Sequence, residues 1–192
     1  GKCFYVVVNI APHNAKLKTF LKDLEPVVAM GPDALIMSDP GLIMLVREHF
    51  PKMPVHLSVQ ANAVNWASVE FWRRQGLTRV ILSRELGLEE IEEIRRQVPD
   101  MELEVFVHGA LCMAYSGRCL LSGYFNHRDP NQGTCTNSCR WDYKVSTSDG
   151  APLAPGQPVN FYNSPEQEIL LEERQRPGEL MPIEEDEHGT YI

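Results

Sequence analysis

The chain has 192 residues, 43% of them apolar, which is enough to bury a core and excludes disorder as the default reading. No stretch approaches about eighteen apolar residues, and the first ten show no charged leader ahead of a long apolar run, so the expectation is a cytoplasmic chain with no membrane contact. The net charge of -8 argues against nucleic acid, but residues 1–144 carry 16 Lys+Arg against 16 Asp+Glu, and residues 145–192 carry 2 against 10.

In chain order, five runs rich in β-branched and aliphatic residues, at 4–10, 34–37, 55–59, 79–82 and 103–107, read as buried strands. Between them lie helical spacings: Leu17, Phe20, Leu21 and Leu24; Leu42, Leu45 and Val46; Val69 and Trp72; Leu88, Ile91, Ile94 and Val98. Asp39-Pro40 supplies a capping side chain ahead of a proline in the first helical turn, and Pro51, Gly76 and Pro99 follow later helices. Cys3, on the first run, reads as a small buried hydrophobe.

Strict alternation of this kind means parallel strands joined by helical crossovers. An open doubly wound sheet and a closed eight-stranded barrel both fit, but no Gly-x-Gly-x-x-Gly follows any strand, which removes the dinucleotide-binding version of the first. The expected fold class is α/β: a partial TIM-type barrel of about five parallel strands over residues 1–111, a cysteine-rich segment over 112–144, and an acidic extension over 145–192 with a short β-hairpin. A complete barrel takes about 250 residues, so further strands are expected on both sides of this segment.

Catalytic groups in such barrels sit where strands end. Those exits carry Asn9; Ser38 and Asp39; Gln60 and Asn62; Ser83, Arg84 and Glu85; and His108. Asn9, Gln60, Arg84 and His108, with Glu104 on the fifth strand, are the candidates for chemistry. Ser38, Asn62, Ser83 and Arg118 are the candidates for substrate contact. Taken singly, Asp39 reads first as a helix cap, Ser83 as a turn residue, His108 as a hydrogen-bonded structural residue and Arg84 as a partner for Glu85.

Four of the five cysteines follow the fifth strand as Cys112-x6-Cys119-x15-Cys135-x3-Cys139. Four thiolates make a ligand set for either a zinc ion or a 4Fe-4S cluster. The six-residue gap suits zinc poorly, so the cluster leads, zinc is the runner-up, and unliganded or redox-active thiols are the third reading. Gly109, Gly117, Gly123 and Gly133 let the backbone wrap closely around such a group. Arg118, Arg128, Arg140 and Lys144 lie among Tyr115, Tyr124, Phe125, Trp141 and Tyr143, a mixture that suits a polyanion with exposed bases, or a small lobe packed on its own aromatics.

The run Glu-Val-Phe-Val-His-Gly-Ala-Leu-Cys-Met-Ala-Tyr-Ser-Gly-Arg-Cys-Leu-Leu-Ser over residues 104–122 resembles the signature of the collagenase-like peptidase family U32, of unassigned catalytic type. Residues 7–14, 56–62 and 133–135 resemble the tRNA-hydroxylation branch of that family. The likeness runs over residues 2–144 and returns at 176–179 and 185–191, whereas the Pro-rich stretch 146–166 departs from it. The resemblance implies a barrel, a 4Fe-4S cluster on the four matching cysteines, and hydroxylation at carbon five of the wobble uridine of tRNA. Prephenate, a small carboxylate, and the iron-sulfur assembly machinery are the partners it implies beside tRNA.

Two rivals stand. Proteolysis, through a carboxylate such as Glu104, has no His-Glu-x-x-His helix or Gly-x-Ser-x-Gly elbow to support it. A noncatalytic subunit would use the cluster as a staple or an electron relay.

Overall fold

The computed structural model describes residues 1–109, 112, 114, 118–152, 168–186 and 189–191; Tyr115, Gly117 and residues 153–166 of the Pro-rich stretch lie outside them. Two units divide the chain, Gly1–Ser138 and Cys139–Ile192.

In the first unit the strands are β1 (Tyr5–Val8), β2 (Ala34–Met37), β3 (Val55–Leu57), β4 (Arg79–Ile81) and β5 (Glu102–Glu104). They pair in parallel in the order β1-β2-β3-β4-β5. Helices α1 (Asn14–Ala29), α2 (Pro40–His49), α3 (Trp66–Arg74) and α4 (Leu88–Gln97) form the crossovers. The order never reverses, so the sheet lacks the switch point of a doubly wound fold, and right-handed crossovers send all four helices to one face.

Local chemistry fixes the helix starts. Asp39 Oδ1 accepts from the Leu42 amide at 2.8 Å, Asn65 Oδ1 from the Ser68 amide at 2.9 Å, and Glu90 Oε2 from the Gly87 amide at 2.8 Å. Asp39 therefore acts as a cap. Gly76, at φ +82, ends α3 in the left-handed conformation that a side chain resists.

The register assigns each face. Val6, Leu35 and Val55 form one row, and Val8, Met37, Leu57, Val80 and Leu103 the next; both rows belong to the core with Phe20, Leu24, Leu42, Val46, Val69 and Ile94 from the helices. The opposite face carries Val7, Ile36, His56, Arg79 and Glu102 in one row. None of these five belongs to the apolar cluster, and Val7 is 60% exposed.

Three readings of the sequence need adjustment. The strand expected at 103–107 is Glu102–Glu104, because Leu103 is its one core-facing residue and Val105, Phe106 and Val107 point away from the apolar cluster into the open. The third strand stops at Leu57, where Ser58 caps a 3-10 turn over Val59–Ala61. Cys3 precedes the first strand and is exposed rather than buried.

A short helix, α5 (Leu121–Asn126), follows in the cysteine segment. The second unit is an antiparallel sheet of β6 (Tyr143–Thr147), β7 (Ile169–Glu173), β8 (Leu180–Asp186) and β9 (Gly189–Tyr191), in that order. Ile169, Leu171 and Met181 are its buried apolar residues, and the Lys144–Glu172 pair at 3.2 Å joins facing positions of β6 and β7. No helix among the described residues is long and apolar enough to cross a membrane.

Leu57, fully buried between sheet and helices, should cost about 2–5 kcal/mol of unfolding free energy when changed to alanine. Leu88→Ala, at a side chain 85% exposed, should stay within about 0.5 kcal/mol. Urea denaturation of both variants checks the assignment of faces.

Candidate active site

The C-terminal ends of the strands gather most of the polar residues singled out above. Asn9, just beyond β1, donates from Nδ2 to Ser58 Oγ at 2.6 Å. The same hydroxyl accepts from the Gln60 amide at 3.3 Å, and Asn62 Nδ2 reaches the Gln60 carbonyl at 3.4 Å. Asn62 takes a left-handed conformation, φ 54 and ψ 47, which an asparagine tolerates and which turns the chain out of β3. The buried Ser83 amide donates to the Ala63 carbonyl at 3.4 Å, tying the end of β4 to this turn. Asn9, Ser58, Gln60, Asn62 and Ser83 thus form one connected rim. Asn9 Oδ1 and Asn62 Oδ1 are buried on it without a hydrogen-bond partner among the described residues.

Beside that rim, Ser38 is half-buried at the end of β2. Arg84 lies with its guanidinium carbon 4.0 Å from the centroid of the Phe106 ring. Glu104 is bound to Arg79 at 3.2 Å, so its carboxylate serves an ion pair on the face opposite the helices. His108 and Arg118 are exposed and stand outside the connected rim.

Below the rim the face opposite the helices is charged and aromatic. Arg79 pairs with Glu102 at 2.8 Å as well as with Glu104, donates to the Tyr5 hydroxyl at 3.4 Å, and lies 5.4 Å from that ring. Tyr5 also meets His56 edge-on at 4.8 Å. Strands stand about 4.8 Å apart, so Tyr5 on β1 and Arg79 on β4 begin roughly 14 Å apart and meet only by reaching across this face. Sequence reading missed Tyr5, His56, Ser58 and Arg79. A period of two from Asn9 and Glu104 is the signal that could have found their face.

Burial of His56, then the nearby Arg79 cation, lowers its pKa from the ordinary 6.5, against the weaker opposite pull of Glu102 and Glu104. Its Nδ1 is buried without a partner among the described residues.

The cysteine segment is tied to the same end of the sheet, since Gln132 Nε2 donates to the carbonyl of Ala11, two residues beyond Asn9. Thr136 locks its interior. Its hydroxyl meets Ser122 Oγ at 2.7 Å, Asn126 Nδ2 at 2.9 Å and Ser138 Oγ at 2.9 Å, and its amide donates to Ser122 Oγ at 3.0 Å. This holds the residue after Cys135 against the helix that begins just after Cys119. None of the four cysteines forms a disulfide among the described residues; Cys112, Cys119 and Cys139 are half-buried and Cys135 is exposed. Asn137, in the left-handed region at φ 56, turns its amide back to donate to Cys135 Sγ at 3.4 Å. Free thiols and an amide aimed at sulfur are the donor chemistry that an iron-sulfur cluster or zinc requires. Among the described residues, no three His, Cys, Asp or Glu side chains are grouped as metal ligands. Cys112, Cys119 and Cys135 belong to the first unit, and Cys139 opens the second.

The sequence model of peptidase family U32 matches residues 1–192. The chain is 70% identical over its whole length to tRNA hydroxylation protein P of Escherichia coli (strain K12) and 65% identical to the protein of that name from Haemophilus influenzae, and it spans 45% of each. It is also 33% identical, over 78% of its length, to the 23S rRNA 5-hydroxycytidine C2501 synthase of Escherichia coli, of which it covers 22%. No solved structure matches it.

The lowered pKa of His56 sets a pH dependence. The folded state binds this proton less readily than the unfolded chain, so the stability contributed by neutral His56 is present above about pH 6.5 and is lost as pH falls through the folded value. Glu70, held down to about 2 by Arg73 and Arg74, titrates well below that window. Denaturation between about pH 6.5 and 5 should show stability falling with pH, and His56→Phe, which keeps a ring against Tyr5, should flatten the slope.

Proposed function

This chain belongs to peptidase family U32, and from that premise we propose that it acts in the hydroxylation of RNA, converting the wobble uridine of tRNA to 5-hydroxyuridine in a prephenate-dependent reaction. The observation that carries this reading is whole-chain identity of 70% and 65% to two proteins named for tRNA hydroxylation. The rRNA relative, named for 5-hydroxycytidine synthesis, supports hydroxylation of a pyrimidine at carbon five as the shared chemistry.

The sheet is proposed to be part of a β/α barrel. Its unreversed strand order and the meeting of Tyr5 with Arg79 across three strand steps support a face that curls inward. The rim of Asn9, Ser58, Gln60 and Asn62 would then lie at the mouth where barrel enzymes keep their chemistry, with the cysteine segment tied to it through Gln132 and Ala11.

Cys112, Cys119, Cys135 and Cys139 are proposed to hold a 4Fe-4S cluster, delivered by the iron-sulfur assembly machinery. Such a cluster supplies electron transfer when bound. The chain's own residues bind and orient. Asn9 and Asn62 offer amide oxygens that await donors, and Arg118 and Arg84 offer planar cations suited to a phosphate or to the carboxylates of prephenate. The Arg79 ion pair engages Glu104 and leaves proteolysis through that carboxylate without support from the geometry.

Metal analysis of oxygen-free protein tests the cluster. About four iron and four sulfide per chain, lost in Cys135→Ser, is the expected result. One zinc without iron would end the redox reading. In cells lacking the protein, nucleoside mass spectrometry should show loss of 5-hydroxyuridine from tRNA, restored by the wild-type gene and not by the Cys135→Ser form.

A further inference from the structure

Phe106 has no role in the reading above, yet its position is unusual. It lies two residues beyond β5, carries a large ring that is 52% exposed, and sits between Val105 and Val107, which are exposed as well. Its contact is the guanidinium of Arg84, which leaves β4 at the neighbouring exit. A guanidinium carbon 4.0 Å from the ring centroid is in face contact, and this geometry leaves the N–H donors directed outward in the plane of the group. Arg84 makes no ion pair among the described residues, so no carboxylate there competes for those donors.

We propose that Arg84 and Phe106 form a nucleotide subsite, in which the guanidinium pairs with an RNA phosphate and the open part of the ring stacks the adjoining base. The proposal rests on the RNA reading and adds to it a residue and a mode of contact. The aromatic ring does two things. It holds the cation in one orientation, so less side-chain freedom is lost when the phosphate arrives, and it presents a π-face that any base can use. A small acid would use the cation but has no aromatic face for the ring to stack, whereas a nucleotide offers both a phosphate and a base. Its place beyond the strand ends also puts it on the side of the sheet where parallel folds bind ligands.

The test compares the wild-type full-length protein with Phe106→Leu, Phe106→Trp and Arg84→Gln, measuring tRNA binding by fluorescence anisotropy over a salt series, with thermal midpoints as the control for folding. Phe106→Leu should weaken binding roughly five- to one-hundredfold and Phe106→Trp should restore it. Arg84→Gln should reduce the slope of log affinity against log salt by about one. If Phe106→Leu is destabilised, Phe106→Tyr takes its place beside Phe106→Trp, and both should bind as wild type while Arg84→Gln still lowers the salt slope by about one. Wild-type binding with every variant binding equally well overturns the subsite and leaves the RNA reading intact. A raised KM for prephenate with unchanged tRNA binding also overturns it, in favour of a small-acid site. Absence of tRNA binding by the wild-type protein overturns both readings together.

Discussion

The strands of the parallel sheet serve two surfaces, an apolar layer under the helices and a face that becomes polar and charged from β3 to β5, and the two-residue period of the extended backbone is what separates them. Leu35, Met37, Val55, Leu57 and Val80 face the helices and have no contact with water, while Ile36, His56 and Arg79, interleaved with them, face the other way. The in-register pairing of all five strands extends that division across the sheet. A slip of one residue in β4 or β5 would turn Arg79, or Glu102 and Glu104, into the apolar layer, where an unpaired charge is strongly penalised. Register, helix placement and the polar rim therefore follow from one alternation.

The face opposite the helices is held by a different kind of interaction. Arg79 satisfies two carboxylates and a tyrosine hydroxyl at once, and Tyr5 closes on His56 beside it. Glu102 and Glu104 are same-face neighbours two residues apart on β5, and the single guanidinium between them relieves their repulsion. Above them the connected hydrogen bonds of Asn9, Ser58, Gln60 and Asn62 fix the strand exits. In the cysteine segment the hydroxyls of Ser122, Thr136 and Ser138 do the same work at close range, since buried hydroxyls hold direction only when each has a partner.

How legible this was in the sequence depended on how uniform each signal is. The run Ala34–Met37 is apolar on both faces, and the strand found there has the bounds the sequence suggested. The fifth strand has the pattern Glu-Leu-Glu, with one apolar residue facing the core, and the more apolar residues after it drew the expected strand too far along. Asp39-Pro40 carried its capping role in its residue types. Helix α5 is six residues long with a glycine inside it, too short for a helical period to show. The rim residues were legible as strand exits, but Ser58 and Arg79 were not, because their roles come from neighbours far along the chain: Asn9 for one, Tyr5 for the other. Cysteine spacing spoke for a ligand set. The hydroxyl contacts that hold Cys135 near the helix after Cys119 have no counterpart in spacing.

The charged face also limits what can cover it. A purely apolar surface could be covered by many different partners of roughly the right volume, but whatever packs on the Tyr5, His56, Arg79, Glu102 and Glu104 group must respect its charges and leave its hydrogen bonds in place. An aliphatic segment laid there would strip water from the ion pairs without replacing it, so this face selects its covering by charge as well as by shape.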